Sequence, residues 1–163
     1  MSFMEKYLEM TETRRKMEKE AEIKRRNALD DGTVRGLLLS RDYSKVGDYV
    51  KIQHELDEDT IMNVVSASRR KLKKDDIVLF SIMGDLEGGS GLVFTNEKIY
   101  YLWDEKIQLN VSYTEIMECD YNEGDEVELT FNDGRKEAIY VEGYAKQIYN
   151  LIMDIKDRLS GEL

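Results

Sequence analysis

The most constraining feature of this sequence is a series of seven short segments between residues 76 and 142 that are joined by very short connections. Apolar residues in these segments either alternate with polar ones or form brief runs, which is typical of β-strands. Polar couplets at 96–97 and 104–105 and the turn sequence NDG at 132–134 separate neighbouring segments. Parallel strands need long crossover connections, so these strands are predicted to be antiparallel.

The chain ends in a pattern of helical period that follows Gly143. The apolar stripe of this helix is broad enough to cover the open interior of a curved sheet. We therefore predict an α+β fold in which a seven-stranded antiparallel bent sheet or barrel is capped by a C-terminal helix. The predicted stripe comprises Ile148, Leu151, Ile152, Ile155 and Leu159.

The first part of the chain is predicted to be helical, and it divides the protein into an N-terminal helical extension (1–72) and a barrel domain (73–163). Residues 2–28 are rich in good helix formers, and residues 57–72 begin with the N-cap Asp57 and form about four turns. A turn at residues 29–36, marked by Gly32 and Gly36, follows the first helix, and residues 37–56 have an ambiguous pattern that we also assign as helical. A sparse stripe on the first helix, interrupted by Arg14, either docks on the domain or forms a homo-oligomer: Phe3, Tyr7, Met10, Met17 and Ala21.

The net charge of −10 is unevenly distributed. Residues 1–72 have a balance of +1, whereas residues 73–163 have a balance of −11. Such an acidic region repels nucleic acid and anionic lipid, so neither nucleic acid nor phosphoinositide is a predicted partner. No apolar run approaches the roughly 18 residues of a membrane span, and one cysteine excludes an internal disulfide. A cytoplasmic location is expected.

Two segments resemble a known family. The sequence GLVFTNEKIYYLW (91–103), followed by VSYTEIMECDY (111–121) with Tyr113, Ile116 and Met117, is similar to bacterial pleckstrin-homology-like (PH-like) domains near the GRAM group. The resemblance covers about residues 73–160 and implies a barrel capped by a C-terminal helix. Eukaryotic members carry a Trp in that helix, whereas Trp103 lies in a predicted strand, which argues against the lipid-signalling branch.

No pattern in the sequence predicts an enzyme, a cofactor site or a metal site. His54 is the only histidine and has no nucleophile motif beside it, and Cys119 is predicted to be a small core residue. Residues 120–131 have the wrong residue types for a calcium-binding loop. The glycine-rich loop 84–91 lacks the lysine of a phosphate-binding loop.

The sequence therefore predicts a non-enzymatic protein-interaction module, either an adaptor or an inhibitor- or immunity-like protein that neutralises a basic partner. In the PH-like resemblance the first hairpin loop holds basic residues when it binds phosphoinositides, whereas this chain has acidic ones there. The candidate partner-binding residues are acidic: Asp85, Glu87, Asp120, Glu123, Asp125 and Glu126.

Two alternatives remain open at this point. One is a membrane-peripheral, lipid-associated adaptor that uses the basic N-terminal helix, and the other is an enzyme of unrecognised type. The first alternative assigns membrane or partner contacts to two basic clusters: Arg14, Arg15, Lys16, Lys24, Arg25 and Arg26.

Overall fold

The computed structural model describes residues 2–83, 90–123, 125–141 and 143–161. The described residues form four α-helices and eight strands. The helices are α1 (Phe3–Ala28), α2 (Val34–Ser40), α3 (Glu58–Ala67) and α4 (Ala145–Leu159). The strands are β1 (Val50–Ile52), β2 (Leu79–Ile82), β3 (Gly91–Phe94), β4 (Lys98–Trp103), β5 (Lys106–Ser112), β6 (Ile116–Tyr121), β7 (Glu126–Phe131) and β8 (Lys136–Tyr140).

The strands form two antiparallel sheets, of five strands in the order β1-β2-β3-β4-β5 and of three in the order β6-β7-β8. The α+β class and the antiparallel pairing are confirmed, but the prediction of one seven-stranded barrel is wrong. The sheets divide at a single turn of 3₁₀ helix, Tyr113–Glu115, between β5 and β6. This turn redirects the chain, so β6 pairs with β7 instead of continuing the first sheet.

The main hydrophobic core lies between the two sheets and α4. Leu92 and Phe94 of β3 contribute from the larger sheet, and Leu129 of β7 contributes from the smaller one. The predicted stripe on α4 is buried there at Ile148, Leu151, Ile152 and Ile155, whereas Leu159 is exposed. The C-terminal helix therefore closes the core, as the sequence predicts.

A second core covers the opposite face of the larger sheet. Ile61 and Val64 of α3 pack with Phe80 of β2 and Leu102 of β4. Because α3 occupies this face, β2, β3 and β4 are apolar on both sides, which explains their nearly continuous hydrophobic runs. The chain before residue 73 therefore contributes to both cores and, through β1, to the larger sheet.

Two predictions about the N-terminal region need correction. The helix predicted over residues 57–72 begins at the expected N-cap, Asp57, but α3 ends at Ala67. Arg69 and Arg70 have φ of 52° and 62°, a left-handed conformation that ends the helix. The ambiguous segment before it is not one helix. It contains the end of α2, a 3₁₀ turn (Ser44–Tyr49) and β1, because pairing with β2 overrides the local pattern. Helix α2 begins at Val34, inside the predicted turn.

The N-terminal helix α1 is confirmed, and it extends away from the rest of the chain. Ser2 and Glu5 form a capping box at its start, and none of its described residues is buried. Its C-terminal end is anchored by two ion pairs. Arg26 pairs with Asp42 at 3.4 Å, and Asp30, just beyond the helix, accepts two hydrogen bonds from Arg158 of α4.

The ion pair between Asp30 and Arg158 is expected to stabilise the fold. The two hydrogen bonds from the guanidinium, at 2.6 and 2.8 Å, lower the pKa of Asp30 to about 2. A carboxyl group with a depressed pKa stabilises the folded state above its unfolded pKa, near 4, and loses that contribution as the pH falls towards 2. Asp30→Asn should therefore lower the free energy of unfolding by about 1–2 kcal/mol at neutral pH.

This prediction is tested by urea unfolding of the unmodified chain and the variant between pH 7 and pH 2. The stability difference should shrink as the pH falls from about 4 to about 2. Asp133→Asn, which weakens the exposed pair with Arg135, is the control and should have a smaller effect. A difference that is constant across this pH range would contradict the assignment.

Candidate functional site

The candidate site is the outward side of the smaller sheet, which carries four exposed carboxylates. Along β6 and β7, inward residues such as Val127 and Leu129 are buried, and the residues that alternate with them point outward. We define the acidic face as Glu118, Asp120, Glu126 and Glu128, all of which are exposed.

Two carboxylates of the acidic face lie directly opposite each other. Asp120 of β6 is the cross-strand partner of Glu128 of β7 in the antiparallel register. Like charges in this position destabilise a sheet. An ion pair partly offsets this repulsion, because the Lys136 Nζ lies 3.7 Å from the Glu128 Oε1. A positively charged partner would relieve it further.

Removing the charge of Asp120 is therefore expected to stabilise the protein. Asp120→Asn keeps an oxygen for the hydrogen bond from the Tyr121 amide, at 2.8 Å, and removes the repulsion with Glu128. The free energy of unfolding should rise by about 0.5 kcal/mol at low salt and by less at high salt. Glu126→Gln is the control, because the cross-strand partner of Glu126 is Tyr140. If both variants changed stability equally in chemical denaturation, the like-charge pair would not be the cause.

One tyrosine side chain lies beside the acidic face. Tyr140 lies opposite Glu126 and is 43% exposed. Tyr121, at the end of β6, lies on the other side of the sheet, because its cross-strand partner is the buried Val127. The centroid of its ring is 4.8 Å from that of Tyr149 in α4. An exposed tyrosine next to carboxylates suits a protein partner that presents arginine or lysine, since aromatic rings attract cations as carboxylates do.

The structure places the predicted acidic residues as follows. Asp120 and Glu126 belong to the acidic face, and Glu123 is exposed in the adjoining turn. Asp125 is half-buried, and its backbone carbonyl accepts a hydrogen bond from the Val141 amide. Asp85 and Glu87 lie outside the described residues.

Sequence reasoning missed two members of the site, Glu118 and Glu128. The signal that would have found them is the two-residue period of β6 and β7, which places them on the same side as Asp120 and Glu126. The concentration of acidic residues in the sequence instead points to the loop between the strands.

The predicted basic clusters lie on α1, and they differ in their surroundings. Arg14 pairs with Glu18 at 3.1 Å on the exposed surface of the helix. Arg26 is half-buried, and its guanidinium pairs with Asp42, so it serves to anchor the helix. The other four members are exposed: Arg15, Lys16, Lys24 and Arg25.

A cleft of about 620 Å³ between the end of α1 and β1 contains His54. Several polar groups that line it are engaged in contacts that hold the fold. The Tyr43 hydroxyl donates to the Leu38 carbonyl at 2.7 Å, and the Arg41 guanidinium pairs with Asp154 of α4. Elsewhere, burial raises the pKa of the Cys119 thiol to about 12, so this cysteine is a poor nucleophile at neutral pH.

Comparison with known proteins adds no family assignment: no protein-family model matches the chain, and no curated protein is significantly similar to it. The resemblance to PH-like domains therefore stays a prediction. Within the described ranges, no helix combines the length and apolar character required to cross a bilayer. The same ranges contain no group of three or more His, Cys, Asp or Glu side chains placed to share a metal ion.

Proposed function

We propose that this chain is a non-catalytic protein-interaction module that binds a basic protein through the acidic face. The observation that carries the proposal is the set of four exposed carboxylates on one side of β6 and β7, which includes the like-charge pair Asp120–Glu128. These two carboxylates repel each other in the free protein, and both would attract a basic partner. Relief of their repulsion in a complex would therefore contribute to the binding free energy.

The proposal includes a PH-like architecture for the part of the chain that carries this face. Strands β2 to β5 and β6 to β8 form two successive antiparallel groups, and α4 follows them and shares the main core with both. The order of seven antiparallel strands followed by a helix supports this part of the proposal, whereas the two sheets do not close into the barrel that the resemblance implies. In this arrangement the acidic face belongs to the second group of strands, on the side opposite the core.

Electrostatic complementarity of this kind acts mainly on association rate and specificity. Residues outside α1 carry a net charge of −12, because α1 has eight Lys or Arg and six Glu, and the total is −10. The electrostatic field of this net negative charge would attract a basic protein, and the acidic face would orient it. Binding should therefore be fast at low salt and should weaken as salt is added. Both an adaptor and an inhibitor of a basic protein fit this behaviour.

The test is affinity capture from the native host with two variants of equal net charge. The first neutralises the acidic face with Glu118→Gln, Asp120→Asn, Glu126→Gln and Glu128→Gln. The control neutralises four exposed carboxylates away from that face: Glu9, Glu12, Glu97 and Glu105, each changed to Gln. Because the net charges are equal, any difference between the variants reports the position of the charges.

We expect the unmodified chain and the control variant to capture the same basic protein at low salt, and high salt to release it. The acidic-face variant should lose that protein while keeping its folded circular dichroism spectrum. Retention of every captured protein by the acidic-face variant would contradict the proposal. The proposal would also be contradicted if the purified chain converted a substrate and the acidic-face variant converted it equally well.

A further inference from the structure

The exposed apolar side chains of α1 require an explanation that the acidic face does not provide. Phe3 is 82% exposed, Met10 is 72% exposed and Met17 is 64% exposed. A helix in water gains most of its stability from packing an apolar stripe against another surface. The stripe of α1 has no such surface among the described residues of its own chain, since α1 has no buried residue.

The stripe repeats with alternating steps of four and three residues. Such spacing is the seam of a two-helix coiled coil, in which each seam residue faces the partner helix. Arg14 lies in the seam, and its charge is paired with Glu18 one turn along the same helix, at 3.1 Å. Its aliphatic part is therefore available for packing. The seam residues of α1 are Phe3, Tyr7, Met10, Arg14, Met17 and Ala21.

We propose that α1 pairs antiparallel with α1 of a second copy of this chain. With residue 12 at the centre of the pairing, Phe3 packs on Ala21 of the second copy. Tyr7 then packs on Met17, and Met10 packs on Arg14. Each large side chain near one end meets a smaller or flexible one, so the seam fills evenly along about five turns.

The charges that flank the seam match in this register. Lys6 of each copy lies beside Glu20 of the other, which gives two ion pairs at the edges of the interface. Neither side chain forms an ion pair elsewhere in the part of the chain that the structure describes. Alternating charges on the other side of α1 remain in water, as is usual for a solvated helix face.

The charge of the rest of the chain favours the antiparallel over the parallel arrangement. A parallel pair would place two regions of net charge −12 side by side and would bring Arg14 against its own copy. In the antiparallel pair the two ends at Ala28 are separated by about 48 Å, given the helical rise per residue. This distance is several times the Debye length in physiological salt, so the two acidic regions do not repel each other appreciably.

The inference concerns a surface separate from the acidic face, so either can fail without the other. The first measurement is the mass of the purified chain by sedimentation equilibrium over a range of concentrations. We expect twice the chain mass of 19.1 kDa at high concentration. The double variant Met10→Glu, Met17→Glu should have the mass of a single chain. The helix content of the protein outside α1 should be unchanged.

A charge swap tests the register. Lys6→Glu places two carboxylates side by side at both edges of the interface, and it should weaken the dimer about tenfold. Glu20→Lys should do the same, because it places two ammonium groups side by side at the same positions. The double variant restores both ion pairs with opposite sign and should regain the original affinity. Lys16→Glu, on the opposite side of α1, has the same change of net charge as Lys6→Glu and should leave the dimer unchanged.

Orientation is tested by cross-linking with a short bismaleimide in a Cys119→Ser background. Thr11 lies near the centre of the proposed pairing, so Thr11→Cys should cross-link to its own copy. Ala21→Cys should not, because the two positions are about 27 Å apart in the antiparallel pair. Ala21→Cys cross-links with no Thr11→Cys cross-links would indicate parallel helices and would overturn the proposal.

Two further outcomes would also overturn it. One is a monomer at every concentration at which the chain stays soluble. The other is a chain that remains monomeric and floats with phosphatidylglycerol-containing vesicles only when residues 1–28 are present. The second outcome would assign the stripe to a membrane surface instead of a second copy.

Discussion

Gly91→Ala is expected to be among the most damaging single substitutions in this protein, with a loss of at least about 3 kcal/mol of folding free energy. Gly91 begins β3, pairs with Ile82 of β2 and has a φ of +148°. A Cβ atom at this position would lie 2.1 Å from the Ser81 carbonyl oxygen and 2.7 Å from the Phe80 Cε1. The first contact is with backbone, so the strands themselves would have to separate.

The control for this prediction is Gly134→Ala, in the turn between β7 and β8. Gly134 has a φ of +87°, but a Cβ atom there would meet nothing within 4 Å. Only the backbone conformation is strained, at a cost of about 1 kcal/mol. Urea unfolding of both variants separates steric overlap from conformational strain. Equal losses would show that the close approach of β2 and β3 at Gly91 is not as described.

Ile152→Ala is expected to lower the free energy of unfolding by about 2–5 kcal/mol. The Ile152 side chain is 0% exposed and lies in the core that α4 shares with both sheets. Removing three carbon atoms leaves a cavity that the two sheets cannot close by a small shift, because each is fixed by its own strand pairing. The loss should appear in chemical denaturation as a lower midpoint with an unchanged slope.

Leu159→Ala is the matched control in the same helix and the same predicted stripe. Leu159 is 49% exposed at the last residue of α4, so its truncation should change stability by less than about 0.5 kcal/mol. If the two variants lost similar amounts, α4 would not close the core through its Ile148–Ile155 segment.

The local parts of this fold could be predicted from the sequence. All seven predicted strands, the helix α1 and the helix α4 are confirmed, because each is determined by a periodic pattern within a short window. The turn at 104–105 was also recognisable, and both its residues have positive φ, which suits a tight hairpin between twisted strands.

The long-range parts could not be predicted. The division into two sheets depends on the 3₁₀ turn at Tyr113–Glu115, whose sequence carries no strong break signal. The Tyr113 hydroxyl donates to the Thr95 carbonyl at 2.7 Å, a contact between residues far apart in the chain. Strand β1 and the end of α3 were missed for the same reason, since pairing with β2 and the left-handed Arg69 depend on tertiary context.

The candidate site was predicted in part. Asp120 and Glu126 were identified by the density of acidic residues, whereas Glu118 and Glu128 join them only through the strand register. The clustering of basic residues in the sequence also does not indicate that Arg26 and Arg25 differ in exposure. Arg26 is half-buried and pairs with Asp42, whereas Arg25 is exposed. Side-chain direction, which a composition-based argument omits, decides both cases.

The two sheets have different roles in this account. Strands β2, β3 and β4 of the larger sheet are apolar on both faces and are covered by the main core and by α3, so they present little surface to a partner. The smaller sheet packs on one face only, and its other face carries the carboxylates. In the proposed complex, packing of the smaller sheet on the core would hold the acidic face in place, which would reduce the entropy lost on binding.

Amide hydrogen exchange of the chain, alone and with the basic protein that we expect it to capture, tests the central claim most directly. Slowed exchange should be concentrated in β6 and β7, which carry Glu118, Asp120, Glu126 and Glu128. Amides of α3, on the far side of the larger sheet, should exchange at unchanged rates. Protection of α3 or of the His54 cleft, with β6 and β7 unchanged, would contradict the assignment of the acidic face as the binding surface.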